Sequence, residues 1–182
     1  MDEIKRLFLG IDKESYELIR PEVNKSNSLN LLIFSSITFL VMVILGVASI
    51  FTTGVLSDPI NYLSVACASA LLITVNIITR DKETKQSKAT TLTCIVFNLM
   101  LLSFGIALSV NDSPNTTSTI FPTLLLATPL LFALKPQFNA FITIFMTISS
   151  LVMEYLTKSS TTFQIDLAKI CSIAIVSIIL GA

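Results

Sequence analysis

Three ionisable side chains, Glu154, Asp166 and Lys169, lie within or beside long apolar runs near the end of the chain. A charge placed in hydrocarbon is costly, so each of them needs a partner or a task. Asp166 and Lys169 are three residues apart, which puts them on one face of a helix where they can pair. Glu154 approaches the same end from the preceding apolar run. Such a group supports two readings. One is a small polar ligand pocket open to the outer side, with Lys169 contacting an anionic group and the carboxylates a cationic one. The other, simpler reading is an internal ion pair with side chains that snorkel towards an interface. Asn98, near the middle of a third run, and Pro122 in a fourth extend the ligand reading to a kinked, polar-lined cavity. Asn98, and Asn76 and Asn139 near the inner ends of their runs, are each expected to bond across helices.

Other chemistries lack their parts. The chain contains no His and no Trp, so neither an imidazole metal site nor a His-based triad can be built from it. The glycine-rich nucleotide loops, the HExxH zinc motif and the GxSxG nucleophile turn are all missing. No catalytic residue, metal or cofactor is therefore expected. Cys67, Cys94 and Cys171 each sit inside an apolar run without CxxC spacing, and they read as small core residues.

The elements that must position these residues are membrane spans. The chain is 53% hydrophobic and 13% charged, with a mean hydropathy of +0.81, which is outside the range of a soluble domain. The expected fold class is all-α, an integral membrane six-helix bundle with a short amphipathic N-terminal cytoplasmic segment. That segment, residues 1–28, has Ile4, Leu7, Phe8 and Ile11 at helical spacing, a helix end at Gly10, and a second helix from Lys13 to Arg20 stopped by Pro21. Its apolar stripe is expected to rest on the inner membrane surface. No cleavable signal peptide is expected, because polar and amphipathic residues precede the first long run. The six-helix domain, residues 29–182, is predicted to have helices at about 29–51, 60–79, 90–110, 118–134, 138–155 and 163–182. Pro122 and Pro129, seven apart in the fourth, predict a kink.

Charge sets the orientation. Arg80, Lys82, Lys85 and Lys88 lie between the second and third runs, Lys135 lies between the fourth and fifth, and the N-terminal segment carries five more basic residues. The loops on the other side have almost none, Lys158 being the exception. The positive-inside rule then predicts cytoplasmic N- and C-termini in a multi-pass plasma-membrane protein. The basic residues of the Arg80 loop are not interleaved with aromatics, so no nucleic-acid partner is expected. The lipid bilayer itself is the expected partner.

The run Glu3-Ile4-Lys5-Arg6-Leu7-Phe8-Leu9-Gly10-Ile11-Asp12-Lys13-Glu14-Ser15-Tyr16, followed by Ile19-Arg20-Pro21-Glu22 and six apolar runs, resembles the membrane-embedded N-terminal region of clostridial-type GGDEF proteins, the diguanylate cyclases. The resemblance implies a six-helix sensor or anchoring module, dimeric, that regulates a cytoplasmic domain making cyclic di-GMP. The GGDEF motif itself is missing from the chain, so no catalytic residue carries over, and Ala182 would lie where a linker to that domain begins. The competing expectations are a small six-helix transport component, such as the substrate-binding subunit of a vitamin importer, and an accessory membrane protein without a ligand.

Overall fold

A computed structural model describes residues 13–52, 57–80, 86–111 and 113–181. The expected helix end at Gly10, the apolar stripe of residues 4–11, and Lys82 and Lys85 lie outside the described residues. Six helices account for nearly all of the rest: α1 (Lys13–Thr52), α2 (Ser57–Arg80), α3 (Gln86–Asn111), α4 (Ile120–Leu131), α5 (Pro136–Thr157) and α6 (Ser160–Leu180). Among the described residues there is no strand, so the all-helical class expected from hydropathy holds.

The packing logic is that of a bilayer protein. Along α1 the buried positions include Asn24, Asn27, Ser28, Leu31, Ser35, Met42 and Ser49, mostly three, four or seven residues apart, while Ile33, Ile37, Leu40, Ile44 and Phe51 are exposed. On α5, Asn139, Thr143, Thr147, Ser150 and Glu154 are buried, while Phe141, Ile144, Phe145, Ile148 and Leu156 face outwards. In water this arrangement would be inside out. In lipid it is favourable, because tails solvate the large apolar side chains and helices associate through small and polar residues. Five helices are long and apolar enough to cross a membrane, and the chain is a multi-pass membrane protein.

Two compact units divide the chain, one comprising residues 20–100 and the other residues 1–19 with 101–182; the boundary falls inside α3. In the first unit, α1 and α2 are locked reciprocally. The Ser28 hydroxyl donates to Asn76 Oδ1 at 2.9 Å, and Asn76 Nδ2 donates to the Ser28 carbonyl at 2.8 Å. This is the interhelical bond expected of Asn76. Gly46 lies where an added Cβ would meet Leu63 at 3.1 Å, so its missing side chain lets α2 approach.

Two expectations are corrected. Pro21 does not stop a helix; α1 runs straight through it from Lys13. A proline inside a helix removes one backbone bond, but ending the helix there would detach the buried face of Asn24, Asn27 and Ser28, including the bonded pair with Asn76. The fourth helix is also shorter than residues 118–134. It has 12 residues, about 18 Å of rise against a hydrocarbon core of about 30 Å. In the second unit, α4 and α5 both pack along α6.

The segment around α4 nevertheless runs the length of α5. Its leading end is tied to the C-terminal end of α5, where Lys158 Nζ donates to the Thr116 carbonyl at 2.9 Å. Its trailing end is Lys135, the N-cap of α5, with Pro136 in the first turn, where a missing N–H costs nothing. Since α5 has 22 residues and rises about 33 Å, the non-helical residues at 117–119 and 132–135 complete the path that the 12-residue helix cannot.

Candidate functional site

Non-helical backbone at membrane depth survives only if its polar groups find partners inside the protein. The lead-in to α4, residues 113–119, is non-helical, and the α5–α6 hairpin supplies partners for its polar groups. Ser118 N–H donates to both carboxylate oxygens of Asp166, at 3.1 and 3.0 Å. The Ser118 carbonyl accepts from Lys169 Nζ at 2.6 Å. At the turn, Lys158 Nζ donates to the Ser113 and Thr116 carbonyls, and Ser159 N–H donates to the Pro114 carbonyl at 3.0 Å. Two lysines and one aspartate therefore hold seven residues of open backbone.

The prolines explain where these donors are required. Pro122 has no N–H, so the carbonyl four residues earlier, that of Ser118, has no helical donor; Lys169 takes that place. Pro129 leaves the Leu125 carbonyl in the same condition, and the Ser177 hydroxyl of α6 donates to it at 2.7 Å. Thr128 Oγ1 adds only a long bond of 3.3 Å to that carbonyl. The two orphaned carbonyls are seven residues apart on the α4 segment and their donors eight apart on α6, about two turns in each case. The proline pair expected to kink a long helix instead begins and interrupts a short one.

Asp166 and Lys169 pair as their spacing predicted, at 3.8 Å, with Asp166 fully buried and Lys169 33% exposed. Glu154 is fully buried as well, and Asp166 and Lys158 are near enough to act on its charge. All three expected residues thus converge at one end of the second unit. Glu154 differs from the others in its bonding. Its Oε1 accepts from Ser150 Oγ at a long 3.4 Å, and its Oε2 has no partner. The Ser118 hydroxyl faces the carboxyl but makes a 2.6 Å bond with Ser109 Oγ.

The remaining expected residues are elsewhere. Pro122 is buried in the first turn of α4, where its contribution is the missing donor. Asn98, also expected to bond across helices, is buried in the first unit with its Oδ1 unpartnered. Asn139 reaches only the Gly181 carbonyl, at 3.5 Å. Lys88 is exposed and Arg80 ends α2. Cys94 is a buried core residue, but Cys67 and Cys171 are exposed on apolar faces, so the core reading holds for one thiol of three. Among the described residues no group of His, Cys, Asp and Glu could hold a metal ion.

Sequence reasoning missed Lys158, Ser118 and Ser177. Counting back four residues from each proline would have located both orphaned carbonyls. The positions 139, 143, 147, 150 and 154 would likewise have marked the buried polar stripe of α5 by their helical spacing. No family model matches the chain, and no curated protein or solved structure was found similar to it.

Proposed function

We propose that the chain is a membrane sensor and anchoring module, a homodimer in the plasma membrane with cytoplasmic termini, that regulates a cytoplasmic domain producing cyclic di-GMP. The observation that carries this reading is the attachment of α6. At one end it holds the unwound lead-in of α4 through Asp166 and Lys169, and its 21 residues run to the opposite end of the unit. A signal that alters the clamp favours one packing of α6 against α4 over another, which is what a two-state sensor requires. The N-terminal resemblance supplies the class of output. The basic residues at 80–88 and at 135 support the orientation, and Lys158, the exception to that pattern, is occupied by loop carbonyls.

The test uses a full-length coding sequence containing the output domain. Asp166→Asn and Lys169→Gln are expected to shift cellular cyclic di-GMP under the regulating conditions while membrane insertion persists. Unchanged output in both variants removes the sensor reading. Co-purification of ATPase subunits with a small molecule would establish the transport reading instead.

A further inference from the structure

We propose that Glu154 is a proton-binding site within the membrane, a carboxyl that takes up one proton from the side of the 113–119 lead-in and holds it as a neutral acid. The argument rests on counting donors. An ionised carboxylate only accepts, and needs several donors when buried. Glu154 is fully buried, yet receives one long bond from Ser150, and its second oxygen receives none. No lysine lies within ion-pairing distance of it among the described residues. Lys169 is committed to Ser118 and Asp166, and Lys158 to the carbonyls of Ser113 and Thr116.

The neighbouring hydroxyls cannot make up the deficit. Each has one proton to give. Either oxygen could donate in the 2.6 Å contact between Ser109 and Ser118; with the Ser109 hydroxyl donating to the Gly105 carbonyl at 2.9 Å, that contact takes the Ser118 proton. What the Ser118 oxygen retains is acceptor capacity, and it faces the Glu154 carboxyl. A protonated Glu154 supplies the missing donor. In that arrangement Ser118 donates to Ser109 and Ser109 to the Gly105 carbonyl, and neither hydroxyl has a second proton for Glu154.

Asp166, unlike Glu154, has its partners: both its oxygens accept from the Ser118 N–H, and it pairs with Lys169 at 3.8 Å. The charged groups acting on Glu154 are Asp166 of α6 and Lys158 at the α5–α6 turn. Residues 101–111 of α3 and 113–134, which contain the lead-in and α4, bring no ionisable side chain. Proton uptake involves no other bond change, and release returns the proton to the same side. The site does not depend on the sensor reading, because its test reads the proton and not an output signal.

Infrared spectroscopy of the purified protein in lipid nanodiscs, with carbon-13 in the glutamate side-chain carboxyls, tests this directly. At neutral pH one protonated-acid C=O band per molecule is expected. It should shift with the glutamate label, vanish in Glu154→Gln and persist in excess sodium. Labelling separates Glu154 from Asp166 in the unmutated protein, so the result stands even if the variant folds poorly. Spectra showing ionised glutamate alone overturn the proposal. So does an acid band abolished by sodium, which would make the carboxyl a cation ligand.

Discussion

Replacing Ser177 with Ala removes the hydroxyl that donates to the Leu125 carbonyl at 2.7 Å and leaves that acceptor the 3.3 Å bond from Thr128. Leu125 is fully buried, so no lipid headgroup or water replaces the donor. A buried acceptor stripped of its partner costs about 1–3 kcal/mol in general. Interhelical bonds in membranes average about 0.6 kcal/mol and reach about 1.7, so we expect a loss of about 1–1.5 kcal/mol. The cause is specific: the carbonyl depends on Ser177 because residue 129 is proline. Pro129→Ala restores a backbone N–H to the helical register, and in that background Ser177→Ala should cost about 0.5 kcal/mol or less. The coupling energy of the cycle is then about 0.5–1 kcal/mol. The contact of Ser177 with Thr143 at 3.5 Å is lost in both backgrounds and cancels. Reversible unfolding in mixed micelles, followed by far-ultraviolet circular dichroism because the chain has no Trp, measures all four corners. Equal costs of Ser177→Ala with and without Pro129 would refute the orphaned-carbonyl explanation.

The remaining predictions use the same assay unless stated. Asp166→Asn keeps one acceptor for Ser118 N–H but abolishes the charge facing Lys169; a loss of about 1–3 kcal/mol is expected, reduced from the fully buried case by the partial exposure of Lys169. Gly105→Ala brings a methyl to 3.0 Å from Leu124 and 3.1 Å from the Phe121 Cα, and because backbone cannot give way it should cost about 1–3 kcal/mol. Gly46→Ala meets the movable Leu63 side-chain carbons at 3.1 Å and should cost clearly less. Lys158→Met frees the Ser113 and Thr116 carbonyls and should open the 113–119 segment to proteolysis without dissolving the bundle.

Hydropathy located α2, α3, α5 and α6 to within a few residues because a bilayer imposes a length on any stretch that crosses it, but α1 starts at Lys13, sixteen residues before the expected Leu29. It failed at α4 for a physical reason. An apolar run reports how much chain lies in lipid, not how much of it is helical, and residues 132–134 are apolar without being part of the helix. Pro21 misled in the opposite sense, since a breaker was weighed without the buried face of Asn24, Asn27 and Ser28 beyond it. In the site, the pairing of Asp166 with Lys169 was legible because it is local, three residues apart on one helix. Their attachment to Ser118 was not, because the partners are backbone groups about 50 residues away, and backbone groups carry no residue-specific signal. Lys158 looked like a loop residue that breaks a charge pattern; its burial follows from carbonyls that composition does not reveal.

The central claim is that a short helix with unwound ends, held by α6, completes a crossing. In a background where Cys67, Cys94 and Cys171 are replaced by Ala, single substitutions Asn115→Cys and Gln137→Cys, both at exposed positions, can be probed in sealed vesicles with a membrane-impermeant maleimide. Labelling from opposite sides is the expected result. Labelling of both positions from the same side would contradict the account and make the α4 segment a re-entrant loop.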